Sequence, residues 1–197
     1  MASSRDEQPS ALPPGASPVP LLPQRRRALY AVVGALAGAS GVGWAWWRFQ
    51  PRSAAPGIEQ ALWSQSFQTP DGATLALQSL QGKPLLINFW ATWCPPCIAE
   101  LPLLNAFFQE NSAKDWQVVG LAIDQPSAVR AFLARTPVNF PVGMAGLEGS
   151  DLARSLGNLT GGLPFTVVLG REGQVLHRKM GKVTEQDLHG WMKLKGV

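Results

Sequence analysis

The sequence predicts a mixed α/β domain of about 140 residues that follows a single membrane-spanning helix. Three observations lead to this prediction. Residues 28–47 contain no charged side chain. Residues 84–90 (PLLINFW) and 116–123 (WQVVGLAI) are apolar runs of strand length, which is typical of strands buried on both faces. Helical patterns alternate with these runs, as in a sheet that is covered by helices.

Residues 1–27 precede the apolar segment and are predicted to be a disordered tail. The first 24 residues hold six of the seventeen prolines and no aromatic residue, so they cannot bury enough apolar surface to offset the entropy of ordering. Arg25, Arg26 and Arg27 end the tail. Positive charge is retained on the cytoplasmic side of a membrane, so these arginines predict a cytoplasmic N-terminus.

The segment 28–47 is predicted to be a transmembrane anchor, because a helix of twenty residues reaches about 30 Å, the thickness of a hydrocarbon core. Aromatic residues, which favour membrane interfaces, lie near both ends: Tyr30, Trp44, Trp46 and Trp47. Residues 48–57 then form a short linker. A cleaved signal peptide is the alternative, since Ser53-Ala54-Ala55 loosely resembles a cleavage site.

The net charge of the chain belongs to its N-terminal part. The whole sequence has 17 Lys and Arg against 13 Asp and Glu, which gives +4. Residues 1–57 account for six of the basic and two of the acidic residues, so residues 58–197 hold eleven of each and are neutral. This composition gives no support to a nucleic-acid-binding face on the folded domain.

Residues 58–197 are predicted to form the folded domain, which opens with a β-hairpin. The turn sequence Thr69-Pro70-Asp71-Gly72 separates Phe67 from the alternating residues 74–77, and this is a typical hairpin pattern. The buried strand 84–90 comes next. With two cysteines the domain is no disulfide-rich scaffold, and it is long enough to bury its own core.

A long helix is expected to follow the strand and to end near Glu110. Pro102 lies in its interior, so a kink is predicted there. The later elements are predicted from their patterns as strand 116–123, helices 127–135 and 151–156, a hairpin of strands 165–169 and 174–178 around residues 171–173, and a final helix 184–195. The sequence Thr184-x-x-Asp187 begins that last helix as a capping sequence.

The chain has two cysteines, Cys94 and Cys97, placed where the buried strand gives way to the long helix. A thiol at a helix N-terminus faces unpaired N–H groups and the positive end of the helix dipole, which stabilise its thiolate. Cys94 is therefore predicted to be the attacking thiol. Cys97, one turn further on, is predicted to resolve a mixed disulfide. Pro95 and Pro96 occupy first-turn positions that tolerate the missing N–H groups.

Three other roles of the cysteine pair agree less well with the sequence. A structural disulfide that closes so short a loop would stabilise the fold poorly. A zinc site would need two further ligands, and His177 and His189 lie far away without paired spacing. Attachment of c-type haem would require histidine where the chain has Ile98. No metal or organic cofactor is therefore expected.

Glu100 is predicted to be the acid/base group of this site. It shares a 3–4–3 spacing with Cys97, Leu104 and Phe107, so on a helix it lies in an apolar stripe close to the second cysteine. Burial and a negative neighbour both raise the pKa of a carboxyl group, which would allow proton exchange with Cys97 near neutral pH. The alternative is that Glu100 turns outward as a solvated helix residue.

Three motifs carry a family resemblance: residues 88–97 (NFWATWCPPC), Glu100-Leu101-Pro102, and residues 162–166 (GLPFT). Over residues 60–195 the chain resembles the thioredoxin superfamily, and within it the TlpA-like and ResA-like membrane-anchored thiol:disulfide oxidoreductases. The resemblance implies a thioredoxin fold with an N-terminal hairpin, a central mixed sheet, and an insertion at about residues 124–158.

The resemblance also implies roles for single residues. Pro164 matches the family's cis-proline beside the active cysteines, which leaves the backbone of Leu163 free to pair with a substrate chain. Trp93, Pro95 and Pro96 are expected to join them in contacting the substrate. Thioredoxins proper have a buried aspartate at the position of Asn88. This residue cannot accept the proton here, and Glu100 matches the carboxylate that follows the cysteines in the TlpA-like group.

The predicted function is reduction of disulfides in periplasmic proteins by a domain that is anchored to the bacterial inner membrane and uses a redox-active Cys94–Cys97 disulfide. The resemblance implies apocytochrome c maturation or copper-site assembly as tasks, and a second membrane protein as the reductant. An oxidant or isomerase is one alternative. A copper carrier that uses the two thiols as soft ligands is another.

Overall fold

A computed structural model describes residues 57–197 of the chain. The predicted tail (1–27), the predicted anchor (28–47) and all but the last residue of the predicted linker (48–57) lie outside the described residues. Within residues 57–197, no helix has both the length and the apolar character needed to cross a membrane.

The described residues form seven strands and five α-helices. The strands are β1 (Ser66–Gln68), β2 (Thr74–Ala76), β3 (Leu85–Trp90), β4 (Gln117–Ala122), β5 (Val142–Met144), β6 (Phe165–Leu169) and β7 (Val175–Met180). The helices are α1 (Ile58–Trp63), α2 (Pro95–Asn111), α3 (Pro126–Arg135), α4 (Glu148–Ser155) and α5 (Glu185–Trp191). Short 3₁₀ turns cover Leu77–Leu80 and Ser112–Lys114.

All seven strands belong to one mixed sheet in the order β2-β1-β5-β4-β3-β6-β7. Strands β3, β4 and β5 are parallel to each other, whereas β6 runs antiparallel to β3 and β7 runs antiparallel to β6. Every residue of β3 is buried, because the strand has neighbours on both sides and helices over both faces. This explains why its sequence is a continuous apolar run and not an alternating one.

Two apolar clusters cover the two faces of the sheet. Leu86 and Trp90 of β3 pack with residues of α2, α3 and α5, while Leu85, Ile87 and Phe89 point to the opposite side and pack with residues of α1 and α4. This alternation is the two-residue period of a strand. The long helix α2, which carries the cysteines at its start, therefore lies directly over β3.

Most of the predicted elements are confirmed. The opening hairpin forms with Phe67 opposite Leu75, and α2 continues through Pro102 to Asn111; the kink at Pro102 stays a prediction. The final helix is shorter than the predicted 184–195. It ends at Trp191 because the N–H groups of Lys193 and Leu194 bond three residues back instead of four.

Two elements were not predicted. Helix α1 precedes the hairpin, and β5 lies within residues 124–158, the stretch expected to be an insertion. This stretch contains α3 and α4 as well, and β5 pairs with both β4 and β1 inside the sheet. A strand of three residues is too short to show a two-residue period, which explains why the pattern missed it.

Candidate functional site

The cysteine pair lies at the junction between β3 and α2, as the sequence predicts. Cys94 is the N-cap residue of α2, with an extended backbone (φ −103°, ψ 99°), and its carbonyl accepts the first helical hydrogen bond from Ile98 N–H at 3.1 Å. Pro95 and Pro96 fill the first two helical positions. An N-cap side chain accepts from the second or third helical N–H, so Cys97 N–H is the available donor for a Cys94 thiolate.

Cys94 and Cys97 form a disulfide, with their Cα atoms 5.3 Å apart. The two residues differ in access to solvent, because Cys94 is 4% exposed and Cys97 is fully buried. Cys94 thus keeps a small exposed surface, whereas Cys97 is covered. This difference agrees with the predicted roles of attacking and resolving thiol.

The residues expected to contact substrate surround this junction. Trp93 is 65% exposed, and Pro95 and Pro96 are exposed as well. The Leu163–Pro164 peptide bond is cis, which confirms the expectation for Pro164. Pro164 directly precedes β6, whose first residue pairs with β3 near the end from which the cysteine loop departs.

Leu163 is half-buried and packs against the cluster that contains both cysteines. Within residues 57–197, no backbone hydrogen bond involves the N–H or the carbonyl of Leu163. Both groups therefore have no backbone partner among the described residues, and the pairing with a substrate chain that the resemblance implies stays a prediction.

Glu100 is fully buried, so the alternative in which it turns outward to solvent is wrong. Its Oε1 accepts a hydrogen bond from Asn88 Nδ2 at 2.7 Å, and its Oε2 accepts one from the backbone N–H of Val183 at 2.5 Å. Burial raises the pKa of the Glu100 carboxyl group; the two hydrogen bonds and the positive charges of Lys182 and Lys179 oppose this rise without cancelling it.

Asn88 and Thr166 extend this buried polar group across the sheet. They lie directly opposite each other on β3 and β6, so their side chains point to the same face, the one that α2 covers. Asn88 Nδ2 donates a second hydrogen bond to Thr166 Oγ1 at 3.1 Å. The contact of Asn88 with Glu100 was not predicted.

Asp124 is a further residue of the site that the sequence analysis missed. It follows β4, and its Oδ2 accepts hydrogen bonds from the backbone N–H and the hydroxyl group of Thr92, at 2.8 and 2.5 Å. Partial burial acts to raise the pKa of Asp124, but the bonds from Thr92 and Gln125 outweigh it and lower the pKa. Asp124 thus fixes the loop two residues before Cys94.

Asp124→Asn is expected to destabilise the protein by about 1–2 kcal/mol at neutral pH, because Thr92 loses a charged acceptor. Since folding lowers the pKa of Asp124, its contribution is present above the unfolded-state pKa and is lost as the pH falls through the folded-state pKa. Urea unfolding at pH 7 and pH 3 measures the difference. Asp151→Asn, at an exposed ion pair with Arg154, is the control; equal effects of the two substitutions would contradict this role.

A cavity of about 450 Å³ opens beside Trp93. Its walls come from the ends of β4 and β5 and the starts of α3 and α4, and include Ile123, Pro126, Gly146, Leu147 and Ser150. Leu147 is 82% exposed. The cavity therefore offers apolar surface next to the cysteine loop. In residues 57–197 no cluster of three or more His, Cys, Asp or Glu side chains could hold a metal ion.

Comparisons with known proteins agree with this geometry. Residues 52–191, more than half of the chain, match the family model described as Redoxin. Thiol-disulfide oxidoreductase ResA of Bacillus thuringiensis (strain Al Hakam) is 30% identical over 124 residues, which cover 62% of this chain and 69% of that protein. ResA of Bacillus subtilis (strain 168) is 30% identical over 129 residues, 63% of this chain and 68% of the relative.

Solved structures show the same fold. A thiol:disulfide interchange protein of the thioredoxin family from Chlorobium tepidum TLS has a TM-score of 0.58 at 30% identity, over 73% of this chain and 95% of that one. A thioredoxin-related protein from Neisseria meningitidis serogroup B has a TM-score of 0.58 at 31% identity, over 66% and 96%. With its cysteine pair at a helix N-terminus, the chain belongs to the Redoxin family and is a thiol:disulfide oxidoreductase with a thioredoxin-like fold.

Proposed function

We propose that the protein reduces disulfides of periplasmic client proteins while residues 28–47 anchor it in the bacterial inner membrane. The observation that carries the proposal is the arrangement of the sulfur atoms. Cys94 caps α2 and keeps a small exposed surface, whereas Cys97 is buried one turn further along the helix. Such a pair can form a mixed disulfide with another protein through its outer sulfur and resolve it with its inner sulfur.

In the first step the Cys94 thiolate attacks one sulfur atom of the client disulfide. A Cys94–client disulfide forms, the client's S–S bond breaks, and the other client sulfur leaves as a thiolate that takes a proton from water. The N-terminus of α2 stabilises the Cys94 thiolate before the attack. Because Pro95 and Pro96 have no N–H group, this stabilisation depends on Cys97 N–H and on the helix dipole.

In the second step Cys97 passes its proton to the Glu100 carboxylate and attacks the Cys94 sulfur. The Cys94–Cys97 disulfide forms, and the second client thiolate leaves and takes up the proton that Glu100 received from Cys97. The client has then gained two electrons and two protons. The enzyme has lost two electrons, the Cys97 proton, and the Cys94 proton that was released to water when the thiolate formed. Glu100 suits this role because burial raises the pKa of its carboxyl group toward the range in which a thiol proton can be accepted.

The client chain is proposed to lie across the surface around Cys94. The free backbone groups of Leu163 support main-chain pairing with an extended segment. Trp93 and the adjoining cavity supply apolar surface for a client side chain. Apocytochrome c or a copper-ligand protein with paired cysteines is the expected kind of client, as the family resemblance implies.

A dithiol protein of the membrane is proposed to regenerate the enzyme. Each catalytic cycle leaves the Cys94–Cys97 disulfide, which must receive two electrons and two protons before the next cycle. A second thiol:disulfide exchange with a reduced dithiol supplies both. Residues 1–27 would then lie in the cytoplasm and residues 58–197 in the periplasm, consistent with Arg25, Arg26 and Arg27 before the apolar segment.

Cys97→Ser tests the function directly, because it retains the attacking thiol and removes the resolving one. Full-length Cys97→Ser produced in the native bacterium is expected to accumulate mixed disulfides, whose client mass spectrometry identifies. Cys94→Ser/Cys97→Ser is the matched control and should trap nothing. Clients that are all cytoplasmic proteins would overturn the proposed location.

The reduction potential of the cysteine pair tests the direction of electron flow. Equilibration of the wild-type protein with glutathione or dithiothreitol buffers is expected to give a value near that of thioredoxin, about −270 mV. A value near −120 mV, typical of strong disulfide donors, would show that the protein oxidises its clients.

A further inference from the structure

Asn88, Glu100 and Thr166 form a buried polar trio between the sheet and α2. All three side chains are fully buried. Asn88 lies at the centre of the trio, since its Nδ2 donates to Glu100 Oε1 at 2.7 Å and to Thr166 Oγ1 at 3.1 Å. Both hydrogens of the amide nitrogen are therefore used.

The other atom of the same amide has no partner. Asn88 Oδ1 is buried and accepts no hydrogen bond from the residues that the structure describes. A buried acceptor without a donor is costly. Because the amide presents its donor nitrogen and not this oxygen to Glu100, the arrangement favours one ionisation state of Glu100. It fits the carboxylate, which accepts bonds on both of its oxygens.

Protonation of Glu100 on Oε1 means that this oxygen needs a hydrogen-bond acceptor as its partner in place of a donor. A carboxylic acid has one O–H donor, and on Oε1 this hydrogen would point at the Asn88 nitrogen, which is itself a donor. Val183 offers no alternative, because its N–H also donates to Glu100. Asn88 Oδ1, on the far side of the same amide group, is a buried acceptor without a partner among the described residues.

We propose that Asn88 is a positioning residue whose amide turns over by about 180° when Glu100 gains a proton, so that Oδ1 accepts the new O–H hydrogen bond. The hydrogen bond between the Thr166 hydroxyl group and the Asn88 amide reverses its direction at the same time. The hydroxyl group accepts from Nδ2 when Glu100 is charged and donates to Oδ1 when Glu100 is neutral. The trio thereby gives Glu100 Oε1 a hydrogen-bond partner in both states of the carboxyl group. One buried group of the Asn88 amide has no partner in either state: Oδ1 before the turn and Nδ2 after it. The proposal deepens the acid/base role given to Glu100 in the proposed function.

The charged groups around the trio leave Glu100 as the titrating group in contact with Asn88. Lys179 lies beside Thr166 in the register of β6 and β7 and forms an ion pair with Asp187 at 3.0 Å. Lys182 is exposed. His177 also lies on β7, and its ring packs at a tilt against that of Trp191, with the ring centres 5.6 Å apart. Cys94 and Cys97 do not titrate while they form the disulfide.

The experiment uses the oxidised full-length chain in mild detergent, with ¹⁵N-labelled asparagine and ¹³C-labelled glutamate. Nuclear magnetic resonance follows the Asn88 NH₂ group and the Glu100 Cδ atom from pH 3 to pH 9. At high pH the NH₂ hydrogens are expected to show contacts with Glu100 Hγ atoms. These contacts should disappear on acidification, with the midpoint of the Glu100 titration. Contacts that persist unchanged at low pH would overturn the proposal.

Glu100→Gln provides a fixed copy of the protonated state, because a Gln amide nitrogen is a donor where the acid has its O–H. In this variant Asn88 is expected to give the low-pH signal of the wild type at every pH. A signal that still titrates would contradict the proposal, since Asp187 or His177 would then control it. Glu110→Gln, at an exposed position of α2, is the matched control and should leave the wild-type titration unchanged.

Asn88→Leu distinguishes an amide that turns with the state of Glu100 from one that only donates a hydrogen bond to the Glu100 carboxylate. An amide that supports both states of Glu100 affects them nearly equally, so its removal should change the acid dissociation constant of Glu100 by less than tenfold. A residue that only donates to the carboxylate would, when removed, raise the midpoint by a full pH unit or more, and that result would overturn the proposal. The test needs no client and no free thiol, so its failure leaves the reductase proposal intact.

Discussion

Cys94→Ser is expected to abolish disulfide exchange, with a fall in turnover on the order of 10³-fold or more. A serine hydroxyl does not ionise near neutral pH and cannot form a disulfide, so neither the attack nor the mixed disulfide is available. Reduction of insulin disulfides by the reduced full-length protein measures the loss. Cys97→Ser should behave differently and form one mixed disulfide per chain without turning over.

The same assignment predicts unequal alkylation of the two thiols in the reduced protein. Cys94 should react with iodoacetamide at a pH well below 8.5, the usual pKa of a thiol, because Cys97 N–H and the dipole of α2 stabilise its thiolate. Cys97 is fully buried and should react far more slowly. Peptide mapping after brief labelling at pH 5 to 8 gives both rates. Equal rates would contradict the assigned roles.

Glu100→Gln is expected to lower turnover by about 10²-fold near neutral pH, the lower end of what a general base contributes. Gln keeps the shape and the hydrogen bond from Val183 N–H but cannot take the Cys97 proton. The alkylation rate of Cys97 should also lose the part of its pH dependence that reports Glu100. Turnover and labelling rates between pH 5 and pH 9 test this, and a profile unchanged from wild type would remove Glu100 from the mechanism.

The same substitution changes how stability depends on pH in the oxidised protein. Folding raises the pKa of Glu100, so between the unfolded-state and the folded-state pKa the folded state binds more protons. Stability is therefore highest below the unfolded-state pKa and falls as the pH rises through the folded-state pKa, by at most about 1.4 kcal/mol per pH unit for one proton.

Glu100→Gln should remove this fall in stability with rising pH. The free energy of unfolding of the variant, relative to that of the wild type, is therefore expected to increase from acidic to neutral pH. Urea unfolding of the oxidised proteins at several pH values measures the two curves. Glu110→Gln, on the exposed side of the same helix, should follow the wild type. Parallel curves for wild type and Glu100→Gln would show that the buried carboxyl group keeps an ordinary pKa.

The parts of the site that could be predicted are those encoded by neighbouring residues. Cys94 and Cys97 lie at a boundary between an apolar run and a helical pattern. Glu100 follows Cys97 by three residues, so helical spacing alone places it on the buried face. The cis bond at Pro164 was predicted only through the family resemblance, since most bonds before proline are trans.

The parts that were missed depend on contacts between distant elements. Asp124 meets Thr92 across 32 residues, and Val183 meets Glu100 across 83. The partnership of Asn88 with Thr166 depends on the register of β3 against β6, and no local pattern determines which residues of two strands lie opposite each other. Of these contacts, the one with Val183 positions the Glu100 carboxyl group and opposes the rise in its pKa that burial causes.

The central position of β3 also has a consequence for the order of assembly. Its bond to β6 joins residues 78 positions apart, so the cysteine loop leaves the ribosome well before the strand that completes its surroundings. Long-range pairings of this kind form late and slowly. Until then β3 has an incomplete, unshielded edge directly before the two thiols, and a newly made chain is vulnerable to wrong partners close to its redox cysteines.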